Sequence, residues 1–375
     1  MSKKNISLSV GDDETFQFPS FDDEVVVSIN PGLNDSSPVV AKPDKGKSNH
    51  HAPPLPPVMF GGQDVSGNSG LWVSDGTAKG THELTGISGA NSNGLFANRS
   101  RNNRPGFTFF NGEVLLGGLD AAGSYGLWIT DGTAAGTSEL TGISGAYSGG
   151  LFAYYELVNA GFYIDANGFA KFNGEVLFPG ENAAGKLGLW VTDGTAKGTH
   201  ELTGISGAYS GGIVSSGVLS PAFTVFNSEV LFSGLDASGF QGLWVTDGTA
   251  AGTHELTGIS GAHPNGIFSS QIDDNPPGFT VFNGEVLFLG FNASNQNGLW
   301  VTDGTAAGTH ELSISGAPDL SPSSLMVFNN EVLFCGYNGE FGLWVTNGTA
   351  AGTHELTGIS GTNGNFLARV PPDFA

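Results

Sequence analysis

The chain predicts an all-β protein, a six-bladed β-propeller of four-stranded antiparallel blades. Three observations carry that expectation. The phrase GLWVTDGTAAGTHELTGISG, which starts at Gly242, recurs in near copies at Gly70, Gly126, Gly188, Gly298 and Gly342. Its tryptophans (Trp72, Trp128, Trp190, Trp244, Trp300 and Trp344) set a repeat of 44–62 residues, within or near the range of propellers and solenoids. Each copy divides into four short apolar runs separated by Asn, Gly and Asp, and no long stretch follows a 3.6-residue period.

The fifth unit shows the elements in order. FTVFN is the first strand, and Asn283-Gly284 after it tolerates the positive φ angles of a type I′ hairpin turn. Asn111 and Asn173 stand at the same place before Gly, Asn227 before Ser and Asn329 before Asn. EVLFLGFN is the second strand; its EVLF part is apolar on both faces and must be covered on both, as when blades stack radially. GLWVTDG is the third, with the tryptophan as interblade core. THELTGI is the fourth and outermost, where a repeated His-Glu pair guards an exposed edge. A linear β-solenoid is the alternative, but units of this length built from antiparallel hairpins argue against it.

Two parts are expected: an N-terminal extension over residues 1–50 and the propeller over residues 51–375. Residues 16–30 (FQFPSFDDEVVVSIN) resemble a worn copy of the first two strands, suited to a cap or to completing the first blade. DKGKSNHHAPPLPP, from Asp44, reads as an extended linker. The first unit begins at its second strand, from Pro56. VPPDFA at residues 370–375 is similar to NPPGFT, the lead-in to the fifth unit's first strand, so the tail is expected to start the strand that the first blade lacks.

Composition narrows the function. A net charge of -22, with Lys+Arg at only 13, leaves few cations for phosphates, which argues against nucleic acid and anionic membranes. No run approaches the roughly 20 apolar residues that span a bilayer, so no membrane insertion is expected. The lone Cys335 sits in EVLFCG, where it reads as a small buried hydrophobe rather than a nucleophile. The N-terminus lacks the apolar core and cleavage site of a secretory signal.

The run LWVTDGTAAGT resembles the ELWxxDGT repeat of bacterial surface and secreted proteins, some called hyalin-like. The likeness covers about residues 56–375, with Gly in place of the usual Glu before Leu in every copy. It implies a repeated β-fold in an extracellular or cell-surface setting, here by non-classical export unless the protein stays in the cytoplasm. It implies no catalytic residues. Propeller lectins are an analogy of architecture alone.

Constant letters read as scaffold. Asp75, Asp131, Asp193, Asp247, Asp303 and Asn347 before Gly-Thr supply what a turn needs: a side-chain acceptor, a permissive backbone and a hydroxyl. His82, His200, His254, His310 and His354 invite a zinc reading, but each falls on a separate blade's outer strand, too far apart to share an ion. No calcium-loop pattern appears, and no cofactor or metal is expected.

Variable letters gather where strands two and three connect and where one blade leads to the next, which is one face of a propeller. Function is expected on that face. Asp64, Asp120, Asn182, Asp236, Asn292 and Asn338 recur there, either as Asx turns or as a ring of acceptors for hydroxyl groups. Tyr125, Tyr147, Tyr209, Phe240, Tyr337, Phe341 and His263 are the nearby rings. Short polar groups with aromatic faces suit sugars, so a carbohydrate (a monosaccharide or surface glycan) is the expected partner of a non-catalytic, lectin-like module. Repetition of weak sites would add avidity.

Two other readings stand beside this one. A glycoside-processing enzyme needs two carboxylates; Glu156, Asp165, Glu181, Asp273, Asp274 or Glu340 could supply them, though no spacing selects a pair. Arg99, Arg101 and Arg104 in one loop, with Arg369, do not form a sialidase-like cluster. A surface scaffold is the third reading, with the N-terminal extension joining two copies into a homo-dimer.

Overall fold

The computed structural model describes residues 7–10, 14–17, 58–97, 106–153, 168–215, 221–268 and 277–359. It is a six-bladed β-propeller. Blade 1 holds Val58–Gln63, Ser69–Ser74 and His82–Glu83. Blade 2 holds Phe107–Phe110, Glu113–Leu119, Tyr125–Thr130 and Ser138–Glu139. Blade 3 holds Ala170–Phe172, Glu175–Glu181, Leu187–Thr192 and His200–Glu201. Blade 4 holds Thr224–Phe226, Glu229–Leu235, Gln241–Thr246 and His254–Glu255. Blade 5 holds Thr280–Phe282, Glu285–Phe291, Asn297–Thr302 and His310–Glu311. Blade 6 holds Ser323–Phe328, Glu331–Tyr337, Phe341–Thr346 and His354–Glu355.

Every blade is an antiparallel meander in sequence order, four-stranded except for blade 1, which among the described residues has three strands and begins at the expected second one. The first strands of blades 3, 4, 5 and 6 approach one another in succession, which sets them inside and the fourth strands at the rim. The first hairpins are the I′ turns the sequence predicts: Asn111 and Gly112 have φ 53° and 89°, and Asn227 and Ser228 have 49° and 63°. One short 3-10 turn, Ala350–Gly352, is found in the last blade.

The core lies between blades and repeats with the chain. Two leucines and a Val or Ile on one blade meet the Val, Phe or Leu, and Trp of the next. Leu115, Leu127 and Ile129 of blade 2 cluster with Val176, Phe178 and Trp190 of blade 3. Leu177, Leu189 and Val191 then cluster with Val230, Phe232 and Trp244. Blades 1–2, 4–5 and 5–6 repeat the arrangement around Trp128, Trp300 and Trp344. The outward faces of blades 6 and 1, which share no core cluster among the described residues, are less covered: Val58, Phe60, Trp72, Leu333 and Leu343 are only half-buried.

Away from the blades, Ser7–Val10 pairs with Glu14–Gln17 as a hairpin. The expected half repeat, apart from its first two residues, and the linker and tail 370–375 fall outside the described residues. Cys335 is buried, which pushes its thiol pKa up, as suits an inert hydrophobe. No helix among the described residues is long and apolar enough to cross a membrane.

Trp190 is fully buried between blades, so Trp190→Ala is expected to cost about 3–5 kcal/mol. Trp72→Ala, on the less covered face of blade 1, is expected to cost less than half as much. Denaturant unfolding of both variants checks the contrast; equal losses would contradict it.

Candidate functional site

The DGT phrase folds into one hydrogen-bonded knot in every blade. In blade 2, Asp131 Oδ1 accepts from Thr133 N at 2.8 Å and from Thr133 Oγ1 at 2.7 Å. Thr133 Oγ1 then accepts from Gly136 N at 3.0 Å, and Thr137 Oγ1 donates to Thr133 O at 2.6 Å. The buried hydroxyls of Thr130 and Thr137 meet at 2.6 Å. Gly136 is required, because a Cβ there would strike the Asp131 carboxylate. The hydroxyl and amide of Thr133 hold that carboxylate below its ordinary pKa range. Asn347 makes the same two contacts with Thr349 at 3.1 and 2.8 Å, so the position needs an acceptor, not a charge. This face is scaffold.

On the opposite face, each connector from one blade is stapled onto the next. Tyr147 N donates to Glu181 O at 3.0 Å, and Glu181 N donates to Leu151 O at 2.7 Å. Asn91, Tyr209 and His263 repeat the first bond on Leu119, Leu235 and Phe291. Isolated bridges Ala90–Asp120, Ala146–Asn182, Ala208–Asp236 and Ala262–Asn292 complete the join.

The recurrent Asp/Asn position lies in this join and serves the turn. Asp120 Oδ1 accepts from Ala122 N at 2.8 Å and from Ser124 N at 2.7 Å; Asp64, Asn182, Asp236 and Asn292 make equivalent pairs of bonds. The second side-chain atom does not face the axis. Asn182 Nδ2 donates across the third strand to Glu201 Oε1 at 2.9 Å, on the outer strand. Asn292 reaches Glu311 at 3.1 Å and Asn338 reaches Glu355 at 2.8 Å. The glutamate therefore does more than guard an edge. It lies over Gly188, where a Cβ would collide with its carboxyl group; Gly70, Gly126, Gly242, Gly298 and Gly342 have the same contact. Burial raises the pKa of Glu201 and Glu311 despite their Asn partners.

The aromatic residues divide into groups. Tyr147 and Tyr209 are exposed on connectors at the 2–3 and 3–4 seams, at 37% and 41%. Gly149 and Gly211 lie against their rings, and a Cβ on Gly239, in the next blade's turn, would stand 3.7 Å from Tyr209 Cε2. Phe240 follows Gly239 and is also exposed. Tyr337 and Phe341 form a separate exposed pair in blade 6, with ring centroids 5.2 Å apart. His263 is half-buried at the 4–5 seam, its Nδ1 accepting from Asn265 N at 3.3 Å. Tyr125, expected among the ligand-facing rings, is instead buried, 5.7 Å from the Phe152 ring. It opens the third strand, where the connector's Phe152 folds down over it.

The histidines of the fourth strands are exposed on separate blades, and no group of three metal-ligating side chains gathers among the described residues. An open cleft of about 410 Å³ between blades 5 and 6, lined by Glu285, His310, Glu311 and Thr349 among others, lies at the constant turns. The arrangement of seam aromatics above argues for the other face. Glu181 is the one buried charged residue among the described residues, at a position that is Leu119, Leu235 or Phe291 in neighbouring blades. Glu340 is exposed. The remaining carboxylates and the arginines considered above fall outside the described residues.

No protein-family model matches the chain, and no curated protein matches its sequence. Among solved structures, a puromycin-hydrolyzing peptidase of Mycobacterium tuberculosis is similar over 80% of this chain and 43% of that one, at 14% identity and TM-score 0.43. A puromycin hydrolase is similar over 81% and 44%, at 9% identity and TM-score 0.40. TolB from Acinetobacter baumannii is similar over 79% and 58%, at 12% identity and TM-score 0.35. The chain thus spans less than half the length of either hydrolase. At these scores no residue role is carried over.

Gly188→Ala is expected to displace the Glu201 carboxyl, break its bond to Asn182 and lower stability by about 1–3 kcal/mol. Urea unfolding against the parent chain measures it; an unchanged midpoint would show that Glu201 does not need that space.

Proposed function

We propose that the protein is a carbohydrate-binding, lectin-like module without a reaction of its own, with its binding places at blade seams on the variable face. The carrying observation is the 3–4 seam. There the exposed Tyr209 ring rests beside Gly239, with exposed Phe240 next to it and the hydroxyl-bearing Ser210 and Ser238 at hand. Flat rings suit the C–H faces of a pyranose, and short polar groups with turn amides suit its hydroxyls. The Asp/Asn ring contributes indirectly, since its acceptors fix the turns that carry these rings.

Tyr147 offers a similar platform one seam away, and the Tyr337–Phe341 pair offers another in blade 6. Several weak places on one rigid disc favour multivalent glycans over single sugars. The likeness to ELWxxDGT repeats supports a cell-surface or extracellular setting for such a role. A glycoside-processing enzyme is the second reading, favoured by the buried carboxyl of Glu181 on the same face; hydrolysis of chromogenic glycosides would establish it.

The test pairs a glycan array with calorimetry on the best ligand. Tyr209→Ala with Phe240→Ala is expected to weaken binding at that seam about tenfold or more. Absence of binding to hexoses, polyols and polysaccharides alike would sink the reading.

A further inference from the structure

We propose that Asp120 with Glu139 in blade 2, and Asp236 with Glu255 in blade 4, each share one proton and so form acid-dependent latches on the variable face. The same contact in blades 3, 5 and 6 needs no proton.

The comparison is internal to the fold. In blades 3, 5 and 6 an Asn in the turn donates Nδ2 to the fourth-strand Glu at 2.8–3.1 Å. In blades 2 and 4 the turn is built alike: the backbone N of Asp120 and of Asp236 donates to the carbonyl four residues on at 2.9 Å, as that of Asn182 does. Oδ1 takes the same two amides. The glutamates also lie over the same glycines, Gly126 and Gly242. Where Asn presents an amide, Asp120 and Asp236 therefore present Oδ2, a second acceptor facing the glutamate's acceptors. Two carboxylates cannot bond each other, but a carboxylic acid and a carboxylate can.

Blade 1 is an intermediate case: burial and then Asp64 raise the pKa of Glu83, yet the aspartate has a donor of its own. Asp64 Oδ2 accepts from Asn68 Nδ2 at 2.9 Å, so its charge has its own donor. The corresponding residues in blades 2 and 4 are Ser124 and Phe240, neither with a side-chain amide.

Among the described residues, no cation acts on either glutamate. The facing third-strand residue is Gly126 or Gly242, and the preceding connector brings Ala90 with Asn91, or Ala208. Among the described residues, burial and then the partner aspartate raise the pKa of Glu139, and that of Glu255 reaches about 7 by the same causes. In blade 3 burial still raises the pKa of Glu201, but the bond from Asn182 and the charge of Lys186 oppose it. His254, beside Glu255 in sequence, acts on Asp247 instead.

The sign follows from the raised pKa. The contribution is complete below the ordinary carboxylate range and is lost as pH rises through about 7 in blade 4. The loosened parts would be the Asp236 turn, with Phe240, and the connector bridged to it through Ala208, next to Tyr209.

Thermal unfolding of the full chain and of its Asp120→Asn/Asp236→Asn variant, at pH 5 and pH 8, tests the proposal. The variant's advantage in Tm is expected to be near zero at pH 5 and about 2–4 °C at pH 8. Asn182→Asp should install the opposite trend in blade 3. A variant-minus-parent difference that does not change with pH would overturn the proposal. Infrared difference spectra of the parent chain give a second readout that needs no variant. A protonated-carboxyl band should be present at pH 6 and absent by pH 9, and a chain without that band has no shared protons.

Discussion

A blade of this protein is apolar on both of its faces. Val, Phe or Leu, and Trp point one way and the two leucines with Val or Ile point the other, so a single sheet has no solvated side on which to stand. The only arrangement that removes both faces from water is a row of sheets packed face to face. Everything else follows from that requirement. The strands are short, the turns tight and the connectors carried over the top from each blade to the next. Blade 1 and blade 6 show the rule from its exception, since their outward faces, at Trp72, Phe60, Leu333 and Leu343, are the ones left half-buried.

The repeated phrase is a list of packing and turn requirements in which nearly every letter has a partner. Trp fills the gap to the preceding blade. The Thr before DGT and the Thr after the last Gly meet through their hydroxyls, Asp and the middle Thr tie the turn, and that Gly leaves room for the Asp carboxylate. The Gly before Leu and the Glu after His are a single device, because the side chain of one occupies the space vacated by the other. Here the acidic group beside the third strand's start arrives from the fourth strand, so the third strand must have no side chain there.

The strands, the hairpin type and the start of the first blade at its second strand were readable from residue pattern because each depends on local chemistry: alternation, Asn-Gly and the place where similarity begins. The candidate site was readable in part. Tyr147 and Tyr209 stand exposed as expected, held against glycines two residues on. Tyr125 is not, since its exposure depends on where the connector lays Phe152, a contact between segments that no spacing encodes. The direction of the Asp/Asn side chain was hidden for a similar reason. The turn uses one atom, as the local sequence suggests, while the other meets a glutamate 17 or 19 residues later. The recurrence of Glu at every copy was the signal that could have revealed it.

Copies this alike also create a problem of identity during folding. A second-third hairpin from one blade could lie against the wrong neighbour and bury nearly the same side chains, so the shared letters do little to enforce serial order. What tells the blades apart is the connectors. The path from Glu311 to Ser323 is about half as long as that from Glu255 to Thr280, and Asn91, Tyr147, Tyr209 and His263 differ where each connector meets its target. The connectors that vary from blade to blade are therefore the address labels that distinguish nearly interchangeable modules.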